Sequence, residues 1–266
     1  MDPISIPKNP LRFVDTHTHL DDEAFNVDRP DVIQRARTAG VDRIVLIGYR
    51  EAIWRRTIET ARSFDRGTFA LGIHPQNADE ADDGTIDRLR EVAVDSGAVA
   101  IGETGIDLFR EGPELARQRE IFRLQLELAL ELGLPTIIHQ RAAEAETLSI
   151  LRDRPLHQRI ILHSFDAGPE TARVARERGW FIGVGGLMTR RSNETVREIV
   201  RTFPLEQVVL ETDAPYLVPS GVKARRNEPA NVAIIAERLA ALRAVDVEEI
   251  AAVTASNAEV VFQLRG

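Results

Sequence analysis

His17-Thr18-His19 stands where an apolar run, Leu11-Arg12-Phe13-Val14-Asp15, gives out. In an extended strand, side chains two apart share a face, so both imidazoles would leave the strand end together, arranged to hold a metal ion. Alone the pair is a weak sign, because neighbouring histidines also occur as ordinary hydrogen-bonded groups. Other apolar runs strengthen it. Val99-Ala100-Ile101-Gly102 ends in Glu103, Leu134-Pro135-Thr136-Ile137-Ile138 in His139, and Arg159-Ile160-Ile161-Leu162 in His163. Gln207-Val208-Val209-Leu210 ends in Glu211-Thr212-Asp213, and Phe69-Ala70-Leu71-Gly72-Ile73 in His74. Of the six histidines only His157 falls outside this pattern. The intervals between these residues each match one strand-plus-helix unit, and the last matches two.

His17, His19, Glu103, His139, His163 and Asp213 offer more nitrogen and oxygen donors than one divalent ion in an open catalytic site takes up. Two ions roughly 3.5–4 Å apart would use them, with Glu103 as the bridge because a carboxylate can offer one oxygen to each. On this reading His17, His19 and Asp213 share one ion with Glu103, and His139 and His163 share the other. Imidazole and carboxylate without thiolate suit Zn, Mn, Fe or Mg. Such a centre activates water for displacement at phosphorus or a carbonyl, and Asp213 is placed to take the water's proton. Glu211 is expected either in a structural salt bridge or in support of a histidine. Lys8 and Lys223 are the only lysines and neither ends a strand, so neither a modified-lysine bridge nor a Schiff base is available.

Eight strands are expected to position these residues, near 12–17, 41–47, 68–73, 98–102, 135–139, 159–163, 180–184 and 207–211. Helical patterns lie between them, the clearest from Glu114 to Leu132, stopped by Gly133 and Pro135. Others run over Asp31–Thr38, Arg50–Arg62, Ala142–Arg152, Pro169–Arg178, Asn231–Arg243 and Val247–Ala255, with a short terminal helix through Val260-Val261-Phe262. Alternating strands and helices imply an α/β fold, a TIM-like (β/α)8 barrel over residues 1–266 as a single catalytic domain. In such barrels the chemistry sits at the C-terminal strand ends, and phosphate is often held beside strands seven and eight. Arg190-Arg191, Lys223, Arg225 and Arg226 follow those strands, while Arg110 and Arg141 follow the fourth and fifth. His74 is expected to orient a ligand or phosphate, and Phe165 to stack on a base or plug the mouth.

A net charge of −8 argues against a basic face that coats duplex DNA, though not against nucleic acid gripped in a cleft. The absence of cysteine excludes disulfides. Met1–Lys8 lacks the apolar stretch of a signal peptide and no run approaches membrane-spanning length, so a soluble cytoplasmic protein with no membrane and no obligate protein partner is expected.

Several segments together resemble the TatD family of metal-dependent hydrolases and deoxyribonucleases, from Phe13 to Phe262. They are Val14-Asp15-Thr16-His17-Thr18-His19-Leu20, Gly72-Ile73-His74-Pro75, Ile101-Gly102-Glu103-Thr104-Gly105-Ile106-Asp107, Pro135-Thr136-Ile137-Ile138-His139-Gln140-Arg141, His163-Ser164-Phe165 and Glu211-Thr212-Asp213-Ala214-Pro215-Tyr216-Leu217. Arg226-Asn227-Glu228-Pro229 and Asn257-Ala258 add to the likeness. The resemblance implies a two-metal barrel that cleaves phosphodiesters, by 3′-to-5′ exonucleolytic digestion of single-stranded DNA or DNA ends with Mg or Mn, in DNA repair or degradation. Asp213, Glu103 and His74 are expected in catalysis, and Arg110, Arg141, Phe165 and Arg226 at the substrate. Leu108-Phe109 stands where members often carry tyrosine, and Ser164 where many carry cysteine. The alternative activity is hydrolysis of a small-molecule ester, amide or phosphoester.

Overall fold

Short segments rich in Val, Ile and Leu form eight parallel strands, paired in the order in which they occur. They are β1 (Phe13–Thr18), β2 (Val41–Gly48), β3 (Gly67–Leu71), β4 (Ala100–Asp107), β5 (Thr136–Arg141), β6 (Ile160–Leu162), β7 (Phe181–Val184) and β8 (Val208–Leu210). Helices α1 (Arg29–Thr38), α2 (Glu51–Ala61), α3 (Thr85–Ser96), α4 (Leu115–Leu132), α5 (Glu144–Leu151), α6 (Pro169–Arg178), α7 (Glu194–Thr202) and α8 (Val232–Arg243) follow the strands in turn, and α9 (Val247–Phe262) ends the fold. This is a nearly closed (β/α)8 barrel, seen in a computed structural model that describes residues 11–264. The segment read above for a signal peptide, with Lys8, lies outside the described residues. Among the described residues, no helix is long and apolar enough to cross a membrane.

Strand side chains sort onto two faces with period two. Ile44, Leu46, Leu71, Ile101, Ile138, Leu162, Ile182 and Leu210 join the large core cluster shared with the helices. Val14, Val45, Ile47, Ala70, Ala100, Ile137, Ile161 and Val209 form a second cluster, which the alternation places inside the barrel. Ala255, Ala258, Val261 and Phe262 of α9 belong to that inner cluster. Asn257 Nδ2 donates to the carbonyls of Leu205 and Val208, both at 2.7 Å, at the entrance to β8. Arg12, entering β1, pairs with Glu259. So α9 stoppers the N-terminal end, with Val261 and Phe262 each contributing roughly 1.5–3 kcal/mol by burial.

The structure differs from the sequence expectation at four elements. α9 is one helix rather than two, because both halves of its apolar face meet the barrel floor. α3 and α7 fill crossovers that showed no clear periodicity. Asp82 helps start α3, its Oδ1 accepting from Gly84 N at 2.8 Å. β4 runs five residues past Gly102, carried by pairing of Thr104, Gly105, Ile106 and Asp107 with Ile138, His139, Gln140 and Arg141. A side chain on Gly105 would meet the His139 carbonyl at 1.9 Å, which explains glycine there.

The seam between β1 and β8 is closed by few bonds. Thr18 and Ala214 form an isolated bridge, His19 N donates to Ala214 O at 2.7 Å, and Asp213 N donates to His17 O at 2.9 Å. Asp15 clasps the seam, its carboxyl oxygens accepting from Thr212 N at 2.8 Å and Thr212 Oγ1 at 2.6 Å. Burial pushes the Asp15 pKa up to about 8, against the pull of the Thr212 donors. Asp15→Ala strands a buried amide and hydroxyl and is expected to cost about 2–4 kcal/mol, whereas Asp15→Asn keeps an acceptor and costs far less. Denaturant unfolding of the two variants checks this. Equal losses would show that the clasp contributes little.

Candidate metal centre

Continuing the strand alternation upward brings the polar residues to one mouth. Beyond Ile137, Ile161 and Val209, the inward positions are His139, His163 and Glu211, and two beyond Ala70 and Gly72 is His74. β1 and β4 need an extra device, because their interior residues Val14 and Ala100 are even-numbered while His17, His19, Glu103 and Asp107 are odd. Pairing of β1 with β2 shifts between Asp15 and Thr18, and pairing of β4 with β5 shifts between Ile101 and Thr104. A one-residue slip exchanges the faces of a strand. Both slips turn the polar residues inward above the apolar interior.

Glu103 is at the centre. Its Oε2 lies 3.4 Å from His17 Nε2. Its Oε1 lies 2.7 Å from His139 Nδ1 and 3.8 Å from both His74 Nε2 and His163 Nε2. Asp213 Oδ1 is 3.3 Å from His19 Nε2, 3.8 Å from His163 Nε2 and 3.9 Å from His17 Nε2. The His17 and His163 rings stack at 3.4 Å. Ligand atoms fall into three groups, each within 4.8 Å: His17, His19 and Asp213; His74, Glu103 and His139; and His17, His163 and Glu211. His139 and His163, expected to share an ion with Glu103, both face its Oε1, at 2.7 and 3.8 Å. His139 groups with His74, and His163 stands between Glu103 and Asp213.

The donor set fits a divalent cation. Both ring nitrogens of the buried His17, and Nδ1 of His19, have no hydrogen-bond partner. Stranding buried polar atoms is costly unless a ligand takes them up. Burial raises the Glu103 pKa, but His163, His74 and contacts from His139 and His17 outweigh it and hold the carboxyl well below its usual range. Burial likewise opposes protonation of His163, yet Glu211, Glu103 and Asp213 lift its pKa to about 10. His74 goes the other way, lowered to about 3 by burial and then by His139. A field that holds a proton on His163 and keeps Glu103 and Asp213 ionised also attracts metal cations.

Two supporting carboxylates complete the arrangement. Glu211 Oε1 lies 3.0 Å from His163 Nδ1, outside hydrogen-bond alignment, and accepts from Ser164 N at 2.5 Å. This placement beside the His163 ring fits both roles expected of Glu211. Gly183 makes this possible, since a Cβ there would meet Glu211 Oε2 at 2.2 Å. Asp107 was missed in the sequence because β4 was expected to end at Gly102. Its Oδ2 lies 3.3 Å from His139 Nε2, and despite burial its contacts with His139 and the Arg110 and Phe109 amides lower its pKa to about 2. Its signal was the odd-numbered series Glu103, Gly105, Asp107.

The expected substrate residues divide. Arg110 is exposed on the loop after β4, and Arg141 ends β5 with its guanidinium 4.5 Å from the centre of the Phe109 ring. Arg141 and Arg190 both act on the Asp166 carboxyl, which places these charges near one another. Phe165 is 4% exposed and packs in the core, so it plugs the mouth and offers no face to a base. Arg226 also departs from expectation: Nη2 contacts both Asp28 carboxylate oxygens at 2.6 Å, Nη1 donates to the Ala24 carbonyl, and the guanidinium lies over the Phe25 ring. Its donors tie the loop after β8 to the start of α1 and are not free for substrate.

Chain comparisons add an independent line. The family model described as TatD related DNase matches residues 14–263. The metal-dependent hydrolase YabD of Bacillus subtilis strain 168 is 34% identical over 251 residues, covering 94% of this chain and 98% of that protein. The 3′-5′ ssDNA/RNA exonuclease TatD of Erwinia tasmaniensis is 35% identical over 257 residues, covering 94% and 99%. The solved structure of YJJV, a TatD homologue from Escherichia coli K12, superposes with a TM-score of 0.89 at 30% identity, covering 97% of this chain and all of that one.

Two predictions follow from the site's charges. Asp15 and His163 have native pKa values raised from 3.8 to about 8 and from 6.5 to about 10, so each contributes stability present at low pH and lost as pH rises through those windows. His74, lowered to about 3, works the opposite way below about pH 6.5. The melting temperature of metal-free protein should therefore fall from about pH 7 to 10, with Asp15→Asn flattening the start of that fall and His163→Asn the rest. Saturating divalent ion should stabilise the fold by about 2.7 kcal/mol at a hundred times Kd. A rise between pH 7 and 10 in metal-free protein would contradict the assignment. Separately, Arg226→Ala should cost about 1 kcal/mol of stability and leave KM within about twofold. A large KM increase at unchanged stability would return Arg226 to the substrate.

Proposed function

Because this chain belongs to the TatD family, we propose that it is a metal-dependent phosphodiesterase that removes nucleotides from the 3′ end of single-stranded DNA. The carrying observation is the set of unpartnered imidazole nitrogens facing ionised carboxylates at a single barrel mouth. His17, His19 and Asp213 would hold one divalent cation and His139 and His163 a second, with Glu103 between the two sets. Divalent cations bound there supply Lewis acidity, which acidifies water and offsets negative charge on a phosphodiester.

The chain's own groups do the rest. Glu103 fixes the spacing, since its two oxygens face different histidines. Asp213 is more exposed than Glu103, with 15% of its side chain accessible against 5%, and takes up the proton released from the attacking water. Its pKa is lowered, against its burial, by His19, His163 and His17, so it is ionised when that proton arrives. His74 stays neutral at physiological pH; its Nδ1 accepts from Gln76 N at 3.1 Å, which leaves Nε2 as a donor facing Glu103 or a substrate oxygen. Arg110, Arg141 and Arg190 on the rim meet the phosphates. The relative named as an ssDNA/RNA exonuclease supports the choice of substrate over a small ester.

Metal-stripped protein should leave end-labelled single-stranded DNA intact, and added Mg or Mn should give a ladder shortening from the 3′ end. Glu103→Gln should lower kcat by roughly 10²–10³-fold. Near-normal turnover in that variant would sink the assigned centre. Cleavage of a small phosphoester but of no oligonucleotide would move the substrate class.

A further inference from the structure

Among the described residues, Phe109 and Tyr216 are large exposed side chains, at 67% and 49% accessibility. Scattered exposed apolar groups need no explanation. These two differ because each is pinned to a residue of the candidate centre. Phe109 N donates to Asp107 Oδ1 at 2.9 Å, and Arg110 N to the same oxygen at 3.1 Å. Tyr216 N donates to Asp213 O at 2.8 Å, and its ring edges onto His19 at 5.8 Å. The carboxyl group that faces His139 thus also sets where the Phe109 ring stands.

The loop that carries Phe109 is fixed at both ends. Gln118 Oε1 accepts from Asp107 N at 2.9 Å while its Nε2 donates to Pro113 O at 2.8 Å, bridging the segment across its base. Leu108 N donates to Arg141 O at 3.0 Å. The Arg141 guanidinium lies 4.5 Å from the Phe109 ring centre, so one region of the ring faces a cation while most of the side chain meets water. A preset aromatic face beside a guanidinium suits a flat π system joined to an anion. A nucleobase and its phosphate have that chemistry, and base-on-aromatic stacking tolerates any base.

We infer that Phe109, backed by Arg141, is the stacking platform for a nucleobase next to the scissile phosphodiester, and that it confers preference for single-stranded nucleic acid. This inference rests on the nuclease reading of the metal centre. In a duplex an interior base is covered by its neighbours and an end base is held in plane by its partner strand, whereas an unpaired end base can turn onto the ring.

Two single-stranded oligonucleotides that differ only by an abasic 3′-terminal nucleotide test it, with Mg or Mn present. The wild-type chain should show a KM roughly 5- to 100-fold lower for the intact strand, the range expected of one stacked base. Phe109→Ala should abolish that difference through KM rather than kcat, and Phe109→Trp should restore it. A melting temperature matching wild type keeps the Ala result from being a folding defect. Undiminished discrimination in Phe109→Ala would overturn the platform. A second arm separates this inference from the nuclease reading, using binding of a strand with 2-aminopurine at its 3′ end, followed by fluorescence quenching without turnover. If no oligonucleotide is cleaved but quenching occurs and is lost in Phe109→Ala, the platform stands and the nuclease reading fails. Equal quenching in both proteins, or none in either, refutes the platform.

Discussion

The buried clasp of Asp15 on Thr212 is the contact on which the rest of the architecture turns. Seven of the strand junctions are continuous ladders, while the eighth is held by one bridge, a few backbone bonds and this carboxyl group. The two strands it joins carry His17 and His19 on one side and Asp213 on the other. Closing the barrel and bringing these donors together are therefore one event. A carboxyl group with its pKa near 8 in a fully buried position is expensive to keep, and its two short hydrogen bonds from one threonine offset part of that cost.

Above the clasp the electrostatics are those of a centre short of cations. Glu103, Asp107, Glu211 and Asp213 converge, and among the described residues their ion-pair partners are histidines. Many of the arginines sit on the rim or the helical exterior, where several pair with surface acids. Protons on His139 and His163 thus do what metal ions would do in the same place, and the two compete for the same nitrogens. On the proposed function, rim cations and centre anions divide the work between attracting a phosphate chain and holding the ions that act on it.

Much of this was legible in the sequence because strand side chains alternate strictly. His139, His163 and Glu211 follow directly from their inward apolar neighbours. His17, His19 and Glu103 were identified by type and position, but the reason they face inward was hidden, since simple alternation from Val14 and Ala100 points them outward and a register slip corrects it. Asp107 was hidden because a glycine-interrupted run, Gly102 to Gly105, reads as a strand end until its pairing with β5 is seen. The surroundings of Arg226 and Phe165 were hidden for a different reason. A sequence shows that an arginine follows β8, but not that Asp28, far away along the chain, already holds it. Nor does it show that a phenylalanine beside a metal-site histidine is packed under the rim.

The α9 stopper has a consequence for traffic. Phe262, Val261 and the inner strand residues leave no passage through the axis, so the barrel is a cup with a single lip. A polymer cannot be threaded through it, and whatever goes in must back out along the path it took. Such a vessel accommodates the tip of a strand far more easily than its middle, so a floor built of hydrocarbon side chains, remote from any chemistry, favours working on strands from their ends.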